Sequence, residues 1–556
     1  MPDSNYTTLK MSIVKRNKII FFCFCCLMGM SMLVSCSEGL DVKSTVEMED
    51  DYFTSEMQIQ NGVGAVYAAL ANIYGPSNEN DRSVALYMLP GDDLRPRDGG
   101  SYAAFEAFVG LSSSSGAVER FWKTFYWLVY RANFMLEKIE EPAVKAVYVT
   151  DGLYEYNRGE LLFLRAWAFS KLWDYFGKAP LQHKRIRTVK EGYLPPSSGT
   201  QLIDNAIANL EDAARLLPLP DYWKDGRNDG RVFNESAWGL LSKLYVMRAR
   251  YNADTRSSDY RKAIIAFEKI TTRRLVDFGH NFDLNYENND ESVFEFQASH
   301  FPNQDDPLGY YFGGTVGGMG AYYHYYTAEW YSLTCGPTQK LLDAFEPGDP
   351  RIDETFVTYP CLDEDFIKPP LKNRWGYYKC EVPWRGNESL NVQMLKYINP
   401  SRSWFEQTWG ISSTNNFRII RYADVKLMAA EAYLQTGAAG KALAQVNDVR
   451  KRARESAKGG VLSVVPADLP VITMQDIMDE RLRELCGEDG NRWTDLRGWH
   501  RANYINLGMW TTRDFGYEYN AVNFAFNVGT HLLFPIPKSE MEVNPKMAAS
   551  GNNPGY

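Results

Sequence analysis

Apolar residues recur three and four positions apart over much of this chain, the spacing that gives an α-helix one greasy stripe. Val63, Val66, Tyr67, Leu70 and Ile73 form the first stripe. A longer one runs through Phe121, Phe125, Leu128, Val129, Ala132, Met135, Leu136 and Ile139 and is closed by Pro142, whose ring ends helices. Leu161, Leu164, Arg165, Ala168, Leu172 and Tyr175 mark a third, stopped at Gly177 with Pro180 beyond. The pattern predicts two more helices over 201–216 and 234–249, with Pro218 and Pro220 as the breaker between them. Small residues (Ala237, Ala249, Ala263, Ala266) stand where paired helices would pack closely. Helical spacing returns at 419–434, 441–454 and 474–485, with Gly437 parting the first two. Helix pairs joined by short turns predict tetratricopeptide-like stacking, an α-α superhelix. No strict period of about 34 residues fits, so an irregular helical domain is the competing expectation.

Between residues 276 and 415 this periodicity is lost. Prolines, glycines, aromatics and acids crowd together there, at 302–307, Gly313-Gly314, Gly317-Gly318, 347–350, Pro369-Pro370 and 375–378. A stretch this long without helical or strand pattern is either disordered or functional, and its aromatic richness favours folded loops and short strands, such as 293–297, laid over the helices. Near the end, His531-Leu-Leu-Phe-Pro-Ile-Pro537 holds too much proline for an inner strand.

The N-terminal segment carries a different signal. Lys15, Arg16 and Lys18 precede sixteen uncharged residues from Ile19 to Val34, which end in Leu33-Val34-Ser35-Cys36. A basic head, an apolar middle and a small residue before the cut describe a secretory signal. Leu-Val-Ser-Cys further resembles the lipobox of bacterial lipoproteins, which implies that Cys36 is acylated and becomes the new N-terminus. Each buried acyl methylene contributes about 0.8 kcal/mol, so several chains make a lasting tether. An uncleaved transmembrane anchor fits less well, because the run is shorter than the roughly 20 residues a spanning helix needs. Residues before Met11 are polar and include Asp3, so starts at Met1 and at Met11 are both compatible with this reading.

Composition narrows the function. Removing residues 1–35 takes away four cationic residues and one acid, a net +3, and moves the formal charge from −9 to −12. That balance argues against nucleic acid, which needs a basic footprint. The 35 Tyr, 29 Phe and 14 Trp exceed what a helical core of this size needs, and flat rings also suit sugar faces. After Cys23, Cys25, Cys26 and Cys36 are assigned to signal and lipid, Cys335, Cys361, Cys380 and Cys486 remain, too few for a disulfide scaffold and without metal-ligand spacing. A Cys361–Cys380 bridge and free thiols both fit. No cofactor is expected. Asp305-Asp306 and Asp363-Glu-Asp365 offer oxygens for a structural calcium but lack a recognisable loop spacing.

Several segments, in order along nearly the whole mature chain, resemble the SusD/RagB family of nutrient-binding outer-membrane lipoproteins. They are Gly159-Glu-Leu-Leu-Phe-Leu-Arg165-Ala-Trp167-Ala-Phe169, Gly230-Arg231-Val-Phe-Asn-Glu-Ser-Ala237 and Glu291-Ser-Val-Phe-Glu-Phe296, then Asn416-Phe-Arg418-Ile-Ile-Arg421-Tyr422-Ala-Asp424 running on to Ala430-Glu431-Ala432-Tyr433. Val446-Asn447-Asp-Val-Arg450, Glu480-Arg481-Leu-Arg483-Glu484, Gly490-Asn-Arg492-Trp493-Thr-Asp495-Leu496-Arg497, Phe534-Pro535-Ile536-Pro537 and Asn553-Pro554 complete the set. The resemblance implies a mainly α fold of four tetratricopeptide-like helix pairs with a loop-rich, partly β ligand face. It also implies anchorage in the outer membrane, exposure at the cell surface, and a TonB-dependent SusC-like transporter as partner. Ser37-Glu38 is a weak match to the usual acidic surface-export signal. The expected organisation is a signal peptide over 1–35 and a tether over 36–51. One SusD-like domain follows, with an N-terminal helical part (52–275), a ligand face (276–415) and a C-terminal helical part (416–556).

Within Glu480 to Arg497, opposite charges at helical spacing, such as Glu480 with Arg483, and Arg481 beside Trp493, predict a network clamping two helices rather than acid/base work by Glu488 and Asp495. Two loops mix rings with hydrogen-bonding groups as an oligosaccharide requires. The first, Pro90 to Tyr102, contains Asp93, Arg95 and Arg97. The second holds Tyr310, Tyr311, Tyr322, Tyr323, Tyr325 and Trp330 among glycines that let the backbone bend. At least one of Tyr322, Tyr323 and Tyr325 is expected to stack on ligand, while other rings pack the loop onto the scaffold; Trp375 is a further candidate. The leading expectation is non-catalytic glycan capture for a transporter. A glycoside hydrolase needs only two carboxylates about 5–10 Å apart, which 69 acids could supply, and a scaffold that binds protein alone would show no saccharide affinity. No nucleophile elbow or phosphate-cradling loop is visible in the sequence.

Overall fold

The computed structural model describes residues 52–74, 86–95, 103–224, 230–298, 336–358, 392–394, 396–397, 415–458, 462–516 and 524–556. From Ser55 onward they belong to one compact unit. Among the described residues, ten helices of eleven residues or more build it: α1 (Glu56–Tyr67), α2 (Gly116–Lys138), α3 (Leu153–Phe176), α4 (Gln201–Leu216), α5 (Asn234–Tyr251), α6 (Arg256–Phe267), α7 (Tyr422–Gln435), α8 (Ala439–Glu455), α9 (Met474–Leu485) and α10 (Asn491–Arg501). Sequence neighbours pack as pairs (α3 with α4, α5 with α6, α7 with α8, α9 with α10), and the pairs stack through α4 on α5 and α6 on α7. The fold is thus mainly α and tetratricopeptide-like. The stripe at 63–73 is shorter as α-helix than its spacing predicts, passing into a 3₁₀ turn at Ala68–Leu70 before a last turn at Ala71–Tyr74.

Burial sorts the helices. α4 keeps a single apolar face, with Leu202, Ile203, Ala206, Ile207, Leu210 and Ala213 inside. α3, α5 and α7 are enclosed almost all round, so polar residues on them are buried too: Glu160 and Asp174, Lys243 and Arg250, Asp424 and Glu431. Leu427, Ala430, Val446, Val449, Ile477 and Leu485 close the core between α7, α8 and α9. Each large apolar side chain so buried contributes about 1.5–3 kcal/mol. Thr473 and Asp476 form a reciprocal capping box that starts α9.

Six short strands pair in three antiparallel ladders among the described residues: β1 (Leu94–Arg95) with β3 (Gly336–Pro337), β2 (Ser292–Phe296) with β6 (Phe417–Arg421), and β4 (Phe356–Thr358) with β5 (Val392–Met394). β2 packs on α5, where Gly239 leaves room; a Cβ there would lie 2.8 Å from Val293. The helix expected from residue 419 begins instead at Tyr422, because Phe417–Arg421 is a strand, buried throughout and paired to β2. Apolar spacing cannot separate a short buried strand from the first turn of a helix.

Candidate functional site

The described half of the first candidate loop ends in a ladder, and the second candidate loop begins in it. Antiparallel register sets Arg95 opposite Gly336 and Leu94 opposite Pro337. The chain therefore departs at Arg95 toward 96–102 and arrives at Gly336 from 310–335 at adjacent points. Thr338 locks this root: its N–H donates to the Asp93 carbonyl at 2.8 Å, and its hydroxyl donates to the Asp92 carbonyl at 2.6 Å while capping the short helix Gln339–Ala344 at Leu341 N–H. Arg95 Nε adds a bond to the Pro337 carbonyl at 3.0 Å. The remaining ladders do the same for the rest of the loop-rich region. Thr358 opposite Val392 brackets 359–391, Phe296 opposite Phe417 brackets the excursion that leaves after Ala298, and β3 packs on β5.

Electrostatics hold the root to the scaffold. Asp92 is buried, yet Arg492, with a bond of 2.9 Å from Nη2 and a second from Nε, and Lys340 at 2.7 Å outweigh that burial and hold its carboxyl down at about 2. Asp93 lies the other way. Burial, and then the charge of Asp92 beside it, push it up to about 6, and its Oδ2 accepts the Gly487 N–H at 3.1 Å. Gly490, at φ +63°, makes the approach possible, since a Cβ would lie 2.7 Å from the Tyr87 carbonyl.

The carboxylates of α9 and α10 form a scaffold instead of a reaction centre. Glu484 receives Arg421 at 2.6 Å, Arg351 at 3.0 Å and Arg452. Glu480 receives Arg351, Arg450 and, as its spacing predicts, Arg483 at 2.9 Å. Glu488 is taken by Arg421 and Lys396, and Asp495 by Arg250 and Arg481. Arg481 also reaches Asp424 at 2.8 Å, and the ring of Trp493, expected beside Arg481, has Arg497 over it. All of these groups except the part-exposed Arg483 are buried, and the network clamps five helices (α5, α7, α8, α9, α10) rather than the two that spacing predicts.

Of the candidate ligand residues, Asp93 and Arg95 are placed, and both are buried, 3 % and 8 % exposed; Asp93 Oδ2 accepts from Gly487 and Arg95 Nε donates to the Pro337 carbonyl. They serve the root of the loop. Tyr310, Tyr311, Tyr322, Tyr323, Tyr325, Trp330, Arg97 and Trp375 lie outside the described residues, as do Cys36, the signal segment, Cys335, Cys361, Cys380 and the two acidic clusters considered for calcium. Cys486 is buried and free, its thiol pushed up to about 11 by burial. Among the described residues no cluster of His, Cys, Asp or Glu has the makings of a metal site, and no helix is long and apolar enough to cross a membrane. Thr338, Lys340 and Arg492 were not foreseeable as site residues: Asp92 and Arg492 stand 400 positions apart, and no local spacing reports such a pair.

The model of the SusD family matches residues 267–556, more than half of the chain, and a second model, described as starch-binding associating with outer membrane, matches residues 40–246. SusD-like protein P38 of Formosa agariphila is 24 % identical over 515 residues, covering 87 % of this chain and 92 % of that one. The starch-binding protein SusD of Bacteroides thetaiotaomicron is 23 % identical over 485 residues, 81 % of this chain and 80 % of that one. Among solved structures, surface glycan-binding protein A from Bacteroides fluxus superposes with a TM-score of 0.67 at 22 % identity, covering 90 % of this chain and all of that one. With a family model spanning more than half its length and the helical-pair fold in place, this chain belongs to the SusD family.

Proposed function

We propose that this protein is a lipid-anchored receptor of the outer membrane that binds oligosaccharide at the cell surface and passes it to a TonB-dependent, SusC-like transporter, without cleaving it. Family membership and relatives named for binding starch and surface glycans support the sugar as cargo. The observation that carries the reading is the β1–β3 ladder, where the two ring-bearing loops depart from one fixed point of a rigid scaffold. Recognition of a flexible polyol needs pre-placed groups, since ordering a loop on binding costs affinity. Cys36, acylated, would supply the tether, and residues 37–51 the reach to the barrel.

The test is a glycan array on protein lacking residues 1–36, followed by calorimetry with the glycan it retains. Replacing both Tyr322 and Tyr323 with Ala should weaken that glycan at least tenfold, a loss on the scale of one stacked ring plus its desolvated contact. Unchanged affinity in the double variant would remove these rings from the site, and reducing ends accumulating from incubated polysaccharide would replace the receptor with a hydrolase.

A further inference from the structure

A cleft of about 470 Å³ lies beside the loop root, lined by residues of the Gln339–Ala344 helix, of α9 and of the segment Arg513–Gly516. Its size is that of a small-ligand site rather than a packing flaw. Five planar polar side chains line it: Gln339, Asp343, Asp479, Arg483 and Arg513. Lys340 joins it to the site already described, for its ammonium sits 2.7 Å from Asp92, 2.7 Å from the Asp514 carbonyl and 4.2 Å over the ring of Trp510.

The charges select a ligand class. Arg483 is paired with Glu480, which it shares with Arg351 and Arg450, and Lys340 with Asp92, which it shares with Arg492, so the lining sets Lys340, Arg483 and the exposed Arg513 among Asp343 and Asp479. With both signs interleaved on the wall, neither an anion nor a cation meets a matching surface. Gln339 braces Asp343 at 2.8 Å and Gln475 braces Asp479 at 2.7 Å, one bond each, and a carboxylate accepts about four. Braced acceptors with spare capacity and a planar donor beside them match hydroxyls on a neutral sugar ring. We infer that this cleft is a second glycan subsite, taking neutral sugar units of a chain whose other part is held by the loops. The inference rests on the receptor reading given above and adds to it a contact that no stacking loop supplies.

Affinity electrophoresis of the full mature chain against a panel of neutral α- and β-glucans, mannans, xylans and galactans, followed by calorimetry with a length series of the retained glycan, tests it. The variant Asp343→Ala/Asp479→Ala/Arg513→Ala alters exposed or half-exposed positions, and its thermal melt checks folding. The expected result is about a tenfold loss for long oligosaccharides and little change for disaccharide, since the hydrogen bonds to these charged groups are removed only where the chain reaches the cleft. Equal affinity of variant and wild type at every length would overturn the subsite while leaving the receptor reading intact. Retention of no glycan by the wild type would sink both. A loss that is uniform with length would assign these residues to the loop site instead.

Discussion

Asp92 and Asp93 are neighbours in sequence and opposites in charge behaviour, because the first faces Arg492 and Lys340 and the second faces Gly487 and buried chain. The folded value of Asp93, about 6, lies above the roughly 3.9 of an unfolded aspartate. Its ionisation therefore opposes folding: the protein gains from it below about pH 4 and loses that gain as pH rises through about 6, a swing of about 2–3 kcal/mol. Asp93→Asn keeps the acceptor for Gly487 and cannot ionise. Urea unfolding of both proteins at pH 4.5 and 7.5 should show the variant gaining about 2 kcal/mol on the wild type across that interval. Parallel pH profiles would mean that Asp93 is not held protonated.

At the scale of elements, the ladders matter more than their length. β1 and β3 have two residues each, too few to be stable alone, and Thr338 supplies the difference through the Asp92 carbonyl and the Leu341 N–H. Thr338→Val removes both side-chain bonds at nearly constant volume. We expect it to lower stability by about 1–2 kcal/mol and to weaken glycan binding about fivefold. Thr473→Ala, which removes the α9 cap at similar cost, should leave binding unchanged. Equal binding by the two variants would separate the ladder from function. The helices themselves were largely legible: 201–216 and 474–485 begin and end where periodicity places them, with Pro218 as the breaker after the first. The strand at Phe417–Arg421 was not, since its identity depends on a partner more than a hundred residues away.

Over the whole molecule, buried charge ties distant segments together. Glu291, ahead of β2, shares Arg421 and Arg452 with Glu484 of α9, and Arg351 reaches the same carboxylate. Burial opposes the charge on Glu480 and Glu484, but their arginines prevail and hold both carboxyls well below the usual range, Glu480 at about 2. Their contribution is complete above an unfolded value near 4.3 and is lost as pH falls through the folded ones. Removing one partner strands the others: Glu484→Gln should cost about 3–5 kcal/mol at pH 7 in urea unfolding, and the deficit should shrink toward pH 2 as the unfolded wild-type chain takes up the proton that the folded carboxylate resists. A cost under about 1 kcal/mol would reduce the network to decoration.

The sequence by itself determined the helices and the family, because periodicity, proline placement and ordered motifs are local and survive in one dimension. It also marked Glu480 to Arg497 as a charge clamp. Tertiary structure alone decided what that clamp holds, that Asp93 and Arg95 turn inward, and that two distant loops share one root. Each of those depends on which surfaces meet, and a pair such as Asp92 and Arg492 forms through burial and charge across the fold, which leaves no trace in spacing along the chain.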